Sequence, residues 1–563
     1  MADQLQLPVQ VVISPEILTG EHNLRDLEIY VGQYVSELVQ DLGLPLNVLV
    51  RVISAPVPYG PSTFQLLINE RPCRMRLWPA ANLAGLPVRE VACVVSEAFH
   101  YCRTSLLTDA LSDFIGQKWG VNVESEYRNG WTVGGFKDYL SEFLRRNVSL
   151  NRAKPFVDAI SPGAATRTDA QLCFEEALEE ATRPDFGIRL WLGSELIEHV
   201  EDLRPLLEQL TRWAATDPGI ALPEISISPS PGLHPDGFRV QINDVSLPEF
   251  IAFPSGSKIA LASADRLAEL KLPSKPVIQP IDALILQVVQ TSPEMEATFT
   301  NANIALWDQN SFIAWSVSSA ANLHAGSMIA APVTQFLLEK LKRDSPDLIQ
   351  QVQSRLQKLG FKQSPRVSII RWTVTAILRL LLDDFVIIRD LRAILQGILL
   401  LRELHGAAQQ SRVVAFRTPH APMFLADGTQ QNVTLIEMTQ CARSALRALA
   451  LRYTQLTDDG LTLTFFVLAP AIEQRFMEAG NNLLTQAEIR LLHSSIFNQV
   501  SALPPEAVTS ILVGQQYRLE VSNCLSVEFP AIPVLGNLEF PPSMKGVVPA
   551  GIIDFPPTPP PGP

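Results

Sequence analysis

Cys93, His100 and Cys102 are the nearest the sequence comes to a metal-ligand cluster. At about 100° per residue on a helix, Cys93 and His100 share a face while Cys102 falls on the opposite side, so the three read as buried thiols and an imidazole rather than a closed site. Asp383 and Asp384 could pair for acid–base chemistry, but they end an apolar helical stretch, where the dipole is negative, with no nucleophile or base nearby in sequence. Turn chemistry is the better reading. The sequence contains no GxSxG elbow, Walker loop, HExxH pair or dinucleotide glycine fingerprint. The expectation is therefore a protein with no catalytic residues, no cofactor and no metal, and an enzyme with an unrecognised site is the remote alternative.

The remaining side chains suit binding. Trp307, Phe312 and Trp315, with Asp308, Asn310 and Ser311 among them, form an aromatic segment that either packs a core or lines a ligand groove. Arg389 and Arg392 flank Asp390 and could grip a partner's acid, although Asp390 near a helix start is equally a cap and dipole device. Glu175, Glu176, Glu179 and Glu180 sit at helical spacing, as a solvated face or a dock for a basic partner.

The elements that must hold these residues repeat along the chain. An alternating run at 9–13 precedes a helix with apolar residues at Leu24, Leu27, Val31, Val35, Leu38 and Leu42. Those steps of three and four place one stripe on one face. LPLNVLVRVI, a Pro/Gly turn and FQLLIN complete a β-α-β-β order. The same order returns from Gly187 with GIRLWL, a helix carrying Leu196, Val200, Leu203, Leu207, Leu210 and Ala214, then LPEISIS, another Pro/Gly turn and FRVQIN. Both copies put Leu-Pro before the second strand and end the third on F-x-x-x-I-N; 88–102 and 312–325 also resemble each other.

The fold expected is α/β (α+β): duplicated β-α-β-β units, a helical subdomain and a C-terminal α/β domain. A truncated first copy occupies 1–160, and a linker with a short acidic helix occupies 161–185. The second copy runs 186–330 with an insertion at about 252–303. A helical subdomain (331–404), a connection (405–432), the C-terminal α/β domain (433–541) and a Pro-rich tail (542–563) follow.

At 563 residues, with 47% hydrophobic and 18% charged residues, the chain is a well-packed globular protein of several domains. Its net charge of −13 repels phosphate backbones and anionic lipids, so nucleic acid and membrane surfaces are poor partners. The most apolar stretch, 367–401, contains Arg371, Arg379, Asp383, Asp384, Arg389, Asp390 and Arg392 and is a buried helical core, not a span. Six scattered cysteines without a CxxC pair, and a start without a signal core, indicate a cytoplasmic, reduced protein.

Three stretches carry a resemblance. DQNSFIAWSVSSAANLHA (308–325) resembles a segment in which a strand pattern runs without gap into a helix of the form L-S-E-x-x-x-x-H-A, its ends kept by Val317-Ser318 and His324-Ala325. VIIRDLRAIL (386–395) is similar to V-x-I-R-D-L-R-x-I-L, and IPVLGNLEFP (532–541) to a closing L-P-V-L-S-x-x-E-I-P. From 187 to 541 the chain thus resembles the cytoplasmic domain of the FHIPEP family, the export-gate protein of flagellar and virulence type III secretion. Family members carry an N-terminal membrane domain, in whose place this chain has the truncated duplicate, which has lost I-R-D-L-R around Asn151 and Arg152. The resemblance implies a non-enzymatic scaffold that forms homo-oligomers, rings among them, and receives chaperones, substrates or secretion components between subdomains. Accessory service in a type III machine, docking chaperone–substrate complexes, is the alternative.

Overall fold

The structure is a computed structural model and describes residues 5–18, 21–57, 64–73, 83–84, 86–120, 123–124, 131–157, 187–216, 222, 224–254, 256–279, 281, 284–358, 368–384, 386–406, 435–446, 455–457, 460–478, 484–501, 509–525, 532–539 and 546–554. The expected acidic helix with Glu175 to Glu180, and the connection after 406, lie outside the described residues. The chain divides into two compact units, the first comprising residues 1–336, 362–385 and 422–428, the second 337–361, 386–421 and 429–563.

In the first unit, copy one opens with β1 (Leu5–Ile13), α1 (Glu21–Asp41), β2 (Leu46–Ser54), β3 (Phe64–Ile68) and β4 (Arg71–Pro72), in sheet order β2-β1-β3-β4. The stripe expected on α1 is buried, from Leu27 through Val31, Val35 and Leu38, against alternate residues Leu7, Val9, Val11 and Ile13 of β1. The copy continues through α2 (Val88–Tyr101), α3 (Asp109–Trp119), a two-residue parallel pair β5 (Val123–Glu124) and β6 (Trp131–Thr132), α4 (Val133–Arg145) and α5 (Leu150–Val157).

Copy two repeats it with β7 (Ile188–Leu192), α6 (Val200–Thr216), β8 (Ser226–Pro229), β9 (Gly237–Ile242) and β10 (Val245–Ser246), in order β8-β7-β9-β10, with β11 (Phe250–Ile251) added on β9. The registers coincide: Ile13 faces Phe64 and Val9 faces Ile68 in the first sheet, as Leu192 faces Phe238 and Ile188 faces Ile242 in the second. A separate sheet of β12 (Ser257–Ala260), β13 (Lys275–Gln279), β14 (Leu284–Gln290) and β15 (Leu306–Trp307), with α7 (Ala264–Glu269) and α8 (Pro293–Asn301), interrupts copy two.

After it come α9 (Gln309–Leu323), α10 (Ala331–Asp344), α11 (Pro346–Lys358), α12 (Ile369–Asp383) and α13 (Leu391–Gly406). The duplication extends into these helices. Phe136, Tyr139, Leu140, Phe143 and Leu144 of α4 are buried at the same spacing as Val374, Ile377, Leu378, Leu381 and Leu382 of α12. Likewise α2 and α9 each run into a short 3₁₀ turn, Arg103–Leu106 and Ala325–Met328, jointed at Cys102 and His324.

The F-x-x-x-I-N landmark has a backbone cause. Asn69 and Asn243 both turn the chain with positive φ, 50° and 56°, a region asparagine tolerates better than most residues. Asn243 is also buried, its Nδ2 donating to Arg146 O (2.7 Å) and Ser327 O (3.3 Å) while its Oδ1 accepts from Gly187 N (3.1 Å). Asn243→Ala is therefore expected to cost about 3 kcal/mol, and Asn69→Ala, exposed, about 1 kcal/mol. Urea-unfolding midpoints of the two variants check the difference, and equal losses would refute it.

In the second unit, Gly397 of α13 meets α14 (Leu435–Leu446) so closely that a side chain there would fall 2.7 Å from Ala442 Cα. The last sheet has order β16-β17-β18-β19, from Gln455–Thr457, Gly460–Leu468, Thr509–Val513 and Val534–Gly536, with α15 (Pro470–Glu478), α16 (Gln486–Ser501) and α17 (Arg518–Leu525) between strands. It reaches further along the chain than the Pro-rich composition after 541 suggests: β20 (Gly546–Ile553) pairs in parallel with β17. Its Pro549 is tolerated because the register shifts there, Phe465 facing Pro549 and Phe466 facing Gly551, so that Ala550 bulges out on an edge strand.

Candidate partner-binding site

The aromatic segment begins where β15 sets Trp307 opposite Ile259. Asp308 caps α9, its side chain accepting from Ser311 N at 2.8 Å, and Gln309 Nε2 donates to Phe253 O at 2.8 Å. Asp308 and Ser311 thus serve the cap, and Asn310 is half-buried beside them. Leu306–Trp307 is a two-residue strand, and the segment from 309 to 323 is helix throughout. Phe312 is fully buried, with ring centroids 5.7 Å from Phe253 and 6.1 Å from Phe238, so it is core and not surface. Trp307 and Trp315 remain half-exposed and meet edge to face at 5.2 Å, a rigid aromatic pair of the kind that anchors protein contacts.

Arg389, Asp390 and Arg392 are exposed in the other compact unit. Asp390 Oδ1 accepts from Ala393 N (2.9 Å) at the start of α13, and Arg392 Nη2 donates to Ser345 Oγ (2.6 Å). Arg389 has no ion pair among the described residues and is the free cation of the three.

The sequence concealed a seam between the two copies. Their apolar faces share one core, in which Val245 and Ile278 of copy two join copy one's residues. Around it Glu37 pairs with Arg239 (3.1 Å), Arg89 with Glu249 (3.1 Å) and Arg152 with Asp244 (2.7 Å), while Asp41 accepts from Ser246 N (3.0 Å). Asp383 lies 3.5 Å from Arg146, so it serves an ion pair. Burial alone would raise the pKa of Glu142, but Arg146, Arg145 and Arg379 outweigh it and hold the carboxyl at about 2.

At the seam's centre Tyr34 Oη lies 2.9 Å from His100 Nδ1, and the His100 and His324 rings meet edge to face at 5.0 Å. Burial, then Arg103 and His324, push His100 well below the usual histidine range. Of L-S-E-x-x-x-x-H-A, both copies keep the serine (Ser96, Ser318), copy one alone keeps the glutamate (Glu97, against Ser319) and copy two alone the His-Ala end (His324-Ala325, against Cys102-Arg103); Glu97 Oε1 and His324 Nε2 stand 3.9 Å apart across the seam, both buried. Cys93 donates to Glu249 O (3.3 Å), and burial pushes its thiol up to about 12. Among the described residues no group of three or more His, Cys, Asp or Glu could hold a metal, and no helix is long and apolar enough to cross a membrane.

Fold and site together define a mixed α/β protein of duplicated units that offers aromatic and cationic side chains at its surface. Residues 140–415 match the model of the FHIPEP family. The structure of CdsV from Chlamydia pneumoniae superposes with a TM-score of 0.51 at 19% identity, covering 66% of this chain and 98% of that one. The C. pneumoniae CdsV and CdsO complex gives a TM-score of 0.50 at 18% identity, covering 66% and 98%. No curated protein sequence matches the chain.

Proposed function

We propose that this protein is a non-enzymatic, cytoplasmic protein-binding scaffold that self-associates and receives protein partners, as the export-gate cytoplasmic domain does. The observation that carries this reading is the match of residues 140–415 to the FHIPEP family model, a stretch that contains both the Trp307–Trp315 pair and Arg389, which has no ion pair among the described residues. CdsV, which shares the fold, has been solved with the protein CdsO, a precedent for a protein partner. Chaperone–substrate complexes are the partner class that the family implies. The net charge of −13 favours partners with basic surfaces, leaving Arg389 to meet an isolated acid.

Light scattering across a concentration series at physiological salt tests the self-association. A mass rising above the 62.1 kDa of one chain is expected, and Arg389→Glu and Trp315→Ala should each weaken assembly by about tenfold. A strictly monomeric mass at high micromolar concentration would overturn self-association.

A further inference from the structure

The duplication supplies its own control for one surface. In both copies the sheet ends on the strand that runs parallel to its first strand, β2 in copy one and β8 in copy two. β8 has four residues, ends in Pro229 and follows Pro223, features that blunt a free sheet edge. β2 has nine residues and no proline. Ala55 N donates to Ile13 O (3.0 Å) and Leu5 N to Pro45 O (3.2 Å), so odd-numbered residues of β2 bond β1. The even-numbered Val48, Val50 and Val52 turn their amides and carbonyls outward. Val52 N has taken the Glu28 carboxylate at 3.0 Å. No other strand pairs with this edge among the described residues.

Both flanks of the edge are open. One turn along α1 from Glu28 stands Gly32, where an added side chain would meet nothing within 4 Å. Glycine weakens a helix interior, and no close packing requires it here. Ile29 beside it is 49% exposed; on the opposite sheet face Leu49 and Ile53 are 48% and 40% exposed. Arg51 stands between those two, exposed and without an ion pair among the described residues.

We propose that the free edge of β2, with the notch at Gly32, docks an extended peptide segment that adds a strand to this sheet and whose side chains opposite Leu49, Arg51 and Ile53 are apolar, acidic and apolar. The outward amides and carbonyls require a main-chain partner, Arg51 requires an acid, and Leu49 and Ile53 require apolar neighbours two residues to either side of it. The proposal rests on the scaffold reading for the view that this protein acts by binding others, and it shares no residue with the Trp307–Trp315 or Arg389 surfaces.

Fluorescence anisotropy with the intact chain and a labelled synthetic peptide, Gly-Thr-Val-Thr-Glu-Thr-Val-Thr-Gly, tests it. Binding at least tenfold tighter than to a scrambled peptide, or to one with lysine in place of glutamate, is expected. Arg51→Glu should lose the glutamate peptide and gain the lysine peptide, and Gly32→Leu should weaken both; circular dichroism confirms that each variant is folded. Equal binding of the three peptides by the unaltered chain would overturn the proposal, a result that needs no variant. So would affinities unchanged by both substitutions, or a dimer that excludes the peptide and is abolished by Arg51→Glu, which would make a second copy the occupant. Light scattering on the same samples separates loss of this site from failure of the scaffold reading.

Discussion

Glu539→Ala is expected to destabilise the second compact unit by about 3–5 kcal/mol, the cost of stranding buried arginines without their counter-ion. Glu539 is fully buried, with Oε1 2.9 Å from Arg443 Nε and 3.6 Å from Arg518 Nε. Arg443 comes from α14 and Arg518 from α17, and both also donate to Val534 O, at 3.3 and 3.4 Å, while Arg518 Nε donates to Gln440 at 2.9 Å. One carboxylate therefore ties two helices to the strand that precedes it. Hydrogen exchange of the β17 and β18 amides, compared with those of β1 and β3, reads the loss in the unit concerned. Unchanged protection there would show that the arginines find other partners.

Acid should loosen the first unit through Glu142, whose two carboxylate oxygens lie 2.6 Å from Arg145 and 2.7 Å from Arg146. Its pKa falls from 4.5 to about 2 on folding. A depressed carboxyl stabilises fully above its unfolded value, and the contribution fades as pH drops through the folded one. It corresponds to about 3 kcal/mol at neutral pH, lost between about pH 4.5 and pH 2. Glu142→Gln should be less stable at pH 7 and should flatten the pH dependence of urea unfolding over that window. Parallel curves for the variant and the unaltered chain would refute the assignment.

The local features of the fold were legible because each has a local cause. The apolar stripe of α1, the alternation of β1 and the twin asparagine turns are imposed by residues near in sequence. β20 was hidden because Pro549 argues against a strand, and only the bulge at Ala550 reconciles it with the sheet. Among the candidate site residues, Trp307, Phe312 and Trp315 look equivalent in sequence. Phe312 is taken into the core by Phe238 and Phe253, contacts from elements far away along the chain. The seam was illegible for the same reason. Glu37, Glu97 and Arg152 read as ordinary charged helix residues until the other copy stands against them.

The pairing of β20 with β17 also sets an order of events during synthesis. All four strands of the first sheet lie within residues 5–72, so copy one can gather its sheet while most of the chain is still being made. The last sheet cannot close until the ribosome has released Ile553. A chain that stops shortly before Gly546 leaves one edge of β17 bare, with Phe465 and Phe466 behind it, and such an edge recruits other chains or a protease. Whether β20 has been made therefore decides whether this edge of β17 is covered.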